Sequence, residues 1–156
     1  MVDLNPGLAV TANGAWLKSK YGKYDDAKGY GPESGIYSES LDFTGNALVR
    51  SPDFSGGVGV NQTISASDNG EIELAANGYY SSGFYWNPAN SIEEPAYFTV
   101  GARLSYIYLP WQFRITAFGQ NLTDERYHFS QSELDFGHLS TLAYPRTYGV
   151  RLNWTF

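Results

Sequence analysis

Four ionisable side chains crowd one stretch near the end of the chain, His128, Glu133, Asp135 and His138, with Ser140 just beyond them. Imidazoles and carboxylates are metal ligands, and Ser140, His128 and Asp135 contain the groups of an acyl-transfer triad. Neither chemistry is enforced by the spacing. These positions are not gathered by one turn, and Ser140 lacks the local context of a nucleophile elbow. No metal, cofactor or catalytic residue is therefore expected, and a loop histidine reads as solvated. The other reactive-looking group is aromatic. Tyr30, Tyr37, Tyr85, Trp86 and Tyr97 fall in or beside the polar connections, where rings can stack on a planar ligand or a sugar. They are the candidate ligand contacts. The competing reading is a girdle of rings at a membrane interface.

Composition narrows the frame that holds them. The chain has 156 residues, 13 Tyr, 9 Phe, 4 Trp, 17 Gly and no Cys. That is about one domain, with no disulfide framework and no thiolate metal site. A net charge of −6 argues against a phosphate-binding nucleic-acid surface. Mean hydropathy is −0.35, and no stretch approaches the ~20 apolar residues of a membrane helix. A membrane barrel remains open, because its strands are apolar only at alternate positions. The opening MVDLNPGLAV has no charged segment followed by an apolar run, so it does not read as a signal peptide.

Alternation is the dominant pattern, and no helical period survives the glycines and β-branched residues. Six alternating segments are expected, at 7–21, 54–64, 71–86, 97–108, 111–120 and 147–156. In the last, Tyr148, Val150, Leu152, Trp154 and Phe156 share one face, and Gly149, Arg151 and Asn153 the other. Arg103, Arg114 and Arg151 sit in the polar phase. On a lipid-facing surface at mid-membrane an arginine costs roughly 2–4 kcal/mol, so these three are assigned to a wet lumen. Connections alternate in length: 22–53 is long, 65–70 short, 87–96 longer, 109–110 very short and 123–146 long. Outer-membrane barrels have short periplasmic turns and long outer loops. This rhythm predicts an all-β, antiparallel transmembrane barrel segment of about six meander strands.

Two segments carry a family resemblance. Asn121-Leu122-Thr123-Asp124-Glu125-Arg126-Tyr127 resembles the Asn-Leu-x-Asp-x-x-Tyr motif near the end of TonB-dependent outer-membrane receptors. Tyr144-Pro145-Arg146-Thr147-Tyr148-Gly149 resembles the Pro-Arg-x-aromatic-Gly start of their last strand. Gly45 to Pro52 is similar to a lead into an earlier strand of the same barrels.

The resemblance implies a barrel of about 22 strands closed by a plug. It implies import of a scarce ligand such as siderophore-bound iron, cobalamin or carbohydrate, driven through TonB. It also implies that the terminal aromatic strand is read by the barrel-assembly machinery. Outer-membrane lipid, that machinery, the rest of the barrel, the plug and TonB are the implied partners. Six strands cannot close alone, since such barrels start at about 8. Residues 1–156 are therefore expected to be the C-terminal portion of a receptor barrel, without plug or TonB box, and not transport-competent alone. The C-terminus is expected on the periplasmic side.

The physical expectations for the motif residues are structural. Asn121 and Asp124 bond nearby backbone. Tyr127 anchors at an interface. Pro145 starts a strand, and Arg146 pairs with a loop carboxylate. The alternative is a small structural or adhesive barrel, self-standing or oligomeric, in which residues 35–50 supply a further hairpin and bring the count to about eight strands. An outer-membrane enzyme is disfavoured.

Overall fold

The computed structural model describes residues 2–5, 7–31, 35–135 and 137–155. In chain order the strands are β1 (Val2–Asn5), β2 (Leu8–Trp16), β3 (Ala27–Tyr30), β4 (Tyr37–Leu41), β5 (Phe54–Ser67) and β6 (Gly70–Ser81). They continue with β7 (Phe84–Tyr85), β8 (Glu93–Glu94), β9 (Tyr97–Tyr108), β10 (Phe113–Gln120), β11 (His128–Leu134), β12 (Gly137–Leu142) and β13 (Thr147–Trp154). Among the described residues the only helical turn is a 3₁₀ turn, Leu109–Trp111.

Seven strands form one antiparallel meander, in the order β1-β2-β5-β6-β9-β10-β13. Six correspond to the expected alternating segments, but the first ends at Trp16 rather than at 21 and the third at Ser81 rather than at 86, where the chain leaves the sheet for the connections at that end. The seventh, β1, lies outside those segments; it pairs with β2 through a turn at Gly7, whose φ is +82°. A Cβ there would sit 2.5 Å from the Thr63 carbonyl oxygen, so only glycine fits the turn. The sheet is open, with β1 and β13 at its edges.

The long–short rhythm has a spatial meaning. The Gly7 turn, the turn joining Ser67 to Gly70 and the 3₁₀ turn between β9 and β10 lie at one end of the strands. The connections 17–53, 82–96 and 121–146 lie at the other end, and each folds into a hairpin: β3–β4, β7–β8 and β11–β12. Among the described residues the β3–β4 hairpin forms a separate two-stranded sheet. It therefore does not extend the main sheet, which removes the eight-strand closure considered for residues 35–50.

Pairing register sorts the side chains into two faces. One face carries the rows Ile64–Ile72–Tyr106–Ile115–Leu152 and Val10–Val60–Ala76–Ala102–Gly119–Tyr148. The row between them, Leu8–Gln62–Leu74–Leu104–Ala117–Val150, holds one polar residue that alternation alone did not flag. Gln62 turns its Nε2 onto the Thr63 carbonyl at 2.9 Å, which satisfies a donor within its own strand.

This apolar face is uncovered. Val58, Val60, Ile64, Leu74, Leu104, Tyr148, Val150, Leu152 and Trp154 are all exposed. The buried apolar residues among those described, Ala27, Phe43 and Ile92, all belong to the connections at the long-loop end. A soluble sheet of this length buries one face against a second layer. Among the described residues this one has no second layer, and its two ends are marked by rings. Trp16, Phe54, Tyr80 and Phe98 stand near the long-loop end, and Tyr108, Phe113 and Trp154 share a row at the short-turn end. From Phe98 to Tyr108 the chain rises about 33 Å, or about 25 Å along the normal at a tilt of about 40°, the height of an outer-membrane apolar band.

Candidate functional site

The polar face opposite is a ladder of hydrogen-bonding groups. Glu73, Ser105, Thr116 and Arg151 share one row, and Arg103 pairs in register with Phe118 in the next. Arg114 forks onto Glu73 across β9, with Nη2 donating to Oε1 at 3.2 Å and Nη1 to the second carboxylate oxygen. The Ser105 and Thr116 hydroxyls, 2.9 Å apart, are buried on the same face. Arg103, Arg114 and Arg151 thus all lie opposite the apolar rows. Thr11, Asn61, Asn77, Arg103, Gln120 and Arg151 line a concave cleft of about 440 Å³ on this face.

Phe118 was missing from the expected polar phase, and it explains a motif glycine. Its ring lies across Gly149, where a Cβ would meet Cζ at 2.9 Å. The Arg151 guanidinium covers the ring at 5.6 Å. Gly149 is therefore a contact surface for Phe118.

The Asn121 motif is a turn held by its own side chains. Asn121 and Asp124 both have positive φ, +48° and +56°, which Asn and Asp tolerate better than most residues. Asn121 Nδ2 donates to the carbonyls of Glu125 at 2.9 Å and Tyr144 at 3.2 Å, and its Oδ1 accepts the Glu125 N–H at 3.0 Å. Leu122 N–H donates to the Val100 carbonyl at 2.8 Å, and the Leu122 side chain covers Gly119. Asp124 accepts both the backbone N–H and Nη2 of Arg146, at 3.2 and 3.4 Å. The two motifs, far apart in sequence, close one junction between the end of β10 and the start of β13. Pro145 sits in that junction, where no ladder N–H is required.

Above the sheet the loops clasp one another. Glu94 on β8 is 1% exposed and accepts three hydrogen bonds: from Trp86 Nε1 at 3.0 Å, from His128 N–H at 3.1 Å and from His128 Nδ1–H at 3.1 Å. Glu133 on β11 accepts from Asn87 Nδ2 at 2.8 Å and Ser91 Oγ at 3.1 Å. Tyr30 donates its hydroxyl to Asp135 at 2.6 Å. That bond, with the like charge of the carboxylate, pushes the Tyr30 phenol up to about 12. The first, middle and last loops are therefore linked. His128, Glu133 and Asp135 are each engaged by a different partner, and no cluster of three metal-ligating side chains exists among the described residues.

The candidate aromatics fall into separate groups. Trp86 packs edge-on against Phe84 and lies under the Arg50 guanidinium at 4.7 Å, so one ring face is already occupied. Tyr85 pairs with Glu93 beside it. Tyr30 and Tyr37 meet edge-to-face at 5.4 Å. Tyr97 stacks parallel on Tyr127 with centroids 4.3 Å apart. Tyr127 is thus half-buried against a neighbour rather than spread on an outer surface. Asn77, Thr99, Gln120, Asn121, Tyr127 and Phe129 line a second cleft, of about 690 Å³, between the polar face and the β11–β12 hairpin. Sequence reasoning did not select Asn77, Thr99 or Phe129, because their proximity depends on the fold of residues 121–146 over the sheet.

An uncovered, single-layer antiparallel meander with apolar and polar faces defines a wall segment of a transmembrane β-barrel. Among solved structures it superposes on the ferric yersiniabactin uptake receptor FyuA from Yersinia pestis with a TM-score of 0.73 and 18% identity, over 94% of this chain and 21% of that one. It superposes on the siderophore receptor PiuA from Acinetobacter baumannii with a TM-score of 0.69 and 21% identity, over 96% of this chain and 19% of that one. The ferric citrate transporter FecA gives 0.57 and 23% identity over 75% of this chain and 18% of that one. The chain spans about a fifth of the length of these structures. The fold is that of their barrels and agrees with the receptor resemblance read from the motifs. No protein-family model matches the sequence, and no curated protein matches it.

Proposed function

We propose that this chain is the C-terminal portion of the β-barrel of a TonB-dependent outer-membrane receptor. The observation that carries the reading is the open meander itself, with a lipid-type face bounded by two ring belts and long loops at one end only. The polar face then lines the lumen, toward the plug, and the hairpins stand outside the cell. The C-terminus lies on the periplasmic side. The β1 and β13 edges leave backbone groups unpaired, which hydrocarbon does not tolerate, so the functional unit includes the remaining strands of a larger barrel. Alone the chain does not transport.

The parent imports a scarce ligand, siderophore-bound iron, cobalamin or a carbohydrate, with energy delivered by TonB. Ligand contacts are assigned to the outer loops and upper wall, where Tyr30, Tyr37, Tyr85, Trp86 and Tyr97 lie. Tyr148, Val150, Leu152 and Trp154 share the exposed face of β13, and with Phe156 they form the edge read by the barrel-assembly machinery through strand addition. Phe156 itself lies outside the described residues. The reading is non-catalytic.

The test is outer-membrane fractionation of cells expressing the full-length protein, followed by uptake of a labelled panel of ferric siderophores, cobalamin and oligosaccharides with and without TonB. Membrane-integrated protein and TonB-dependent uptake of one ligand are expected. A soluble product, or uptake indifferent to TonB, overturns the proposal.

A further inference from the structure

The three connections at the long-loop end have a core of their own. The buried apolar residues among those described are Ala27 and Phe43 from the first connection and Ile92 from the middle one. Connecting segments ordinarily carry few buried contacts and open separately from one another. These do not have that character. The first and middle connections are joined where Asn46 Nδ2 donates to the Pro88 carbonyl, Ala47 N–H to Asn90 Oδ1 and Arg50 N–H to the Tyr85 carbonyl, each at 2.8 Å. Asn87 is buried in the middle connection. Its Oδ1 accepts the Ser91 and Ile92 N–H groups, and its Nδ2 reaches Glu133 of the last connection.

One unbroken run of contacts crosses all three. The Arg50 guanidinium covers Trp86, Trp86 Nε1 donates to Glu94, and Glu94 accepts twice from His128. Tyr30 and Asp135 close the circuit from the first connection to the last. Glu94 is the member without a substitute. Its Oε1 takes the His128 N–H, and its Oε2 takes Trp86 Nε1 and His128 Nδ1. The indole and the backbone N–H can only donate, so both carboxylate oxygens must accept. An amide here would turn a donor onto a donor, in a side chain that is 1% exposed.

We infer that the three outer connections form one preassembled cap that opens as a single unit, fastened by Glu94. That opening controls access to the cleft of about 690 Å³ between the polar face and the β11–β12 hairpin. The inference rests on the membrane-barrel reading, which is what puts the cap on the outer side and the cleft on the way to the lumen.

The experiment is hydrogen exchange on the full-length protein in lipid vesicles, read at the amides of Asn46, Trp86 and Ala143. Each is bonded inside a different connection, to Phe43, Ile92 and Tyr127. In the wild type the three are expected to share one protection factor and one dependence on sub-denaturing urea. Three separate urea dependences overturn the single cap, and this measurement needs no variant to fold. Glu94→Gln is expected to speed exchange at all three about tenfold and to leave the β9–β10 ladder unchanged. Faster exchange at Trp86 and Ala143 with Asn46 unchanged, or no change at any of them, overturns Glu94 as the fastening. The chain has no cysteine, so Thr99→Cys places one thiol in the cleft. Its labelling by a bulky maleimide, followed in the peptide carrying residue 99, should also speed about tenfold with Glu94→Gln. Equal labelling in both backgrounds overturns the gate. Carbonate extraction of the wild-type protein is run in parallel. Failure to integrate overturns the barrel reading and the gate with it, whereas integration with unequal openings overturns the cap alone.

Discussion

Leu104→Arg tests the assignment of the two faces most directly. Leu104 lies in the middle apolar row with Leu74, Ala117 and Val150, and its side chain is half-exposed with no protein layer above it. It is one residue past the midpoint of the Phe98–Tyr108 crossing, about 2.5 Å from the midplane for a strand tilted about 40°. An arginine at that depth on the lipid face costs about 2–4 kcal/mol. That is a factor of about 30–1,000 in the folding equilibrium. Thr63→Arg supplies the opposite case. Thr63 pairs with Glu73 on the polar face, where a new cation is solvated and meets a carboxylate, so the change should stay within about 0.5 kcal/mol. Both are read by urea titration of the full-length protein in lipid vesicles, following tryptophan fluorescence and the mobility of unheated samples. A Leu104→Arg protein as stable as wild type, or a Thr63→Arg protein less stable than Leu104→Arg, would refute the two-face reasoning.

Three further outcomes follow from the geometry. Gly149→Ala forces a Cβ to within 2.9 Å of the Phe118 ring and should destabilise by about 1–3 kcal/mol; Phe118→Leu in the same protein should recover most of that loss in the same titration. A double-mutant cycle on Glu73→Gln and Arg114→Gln should give a coupling of about 1 kcal/mol that shrinks with added salt, because both side chains are partly exposed; a coupling near zero at low salt would count against a formed pair. The phenol of Tyr30 should stay protonated through the ordinary range near pH ~10 and ionise only toward about 12. Its bond to Asp135 is thus whole below the unfolded phenol value and lost as pH rises through the folded one. The tyrosinate absorbance difference between wild type and Tyr30→Phe reports this, and a midpoint at the ordinary value would disprove the bond.

The six long strands and their faces were legible because alternation with period two is a local property. Every turn of the chain that flips a side chain is visible in sequence order. The same rule misjudged Gln62 and Phe118, whose types oppose their phase. Each is accommodated by a contact that alternation does not encode: Gln62 by the Thr63 carbonyl, and Phe118 by the bare surface of Gly149 under Arg151. The strand β1 was hidden because four residues beside a glycine turn carry too short a pattern. The Asn121 and Arg146 motifs suggested local turn chemistry, and their joint closure over the top of β10 and β13 became visible only in the folded chain.

By itself the sequence determined an antiparallel meander with one apolar and one polar face, short turns at one end and long connections at the other. It did so because side-chain direction, turn residues and connection length act over neighbouring residues. The tertiary structure decided that the sheet stays open at β1 and β13, that residues 27–41 form a loop hairpin outside the wall, and that Glu94 clasps the middle loop to the last. Those outcomes depend on groups tens of residues apart, where pairing is chosen by competing partners and no local period records the choice.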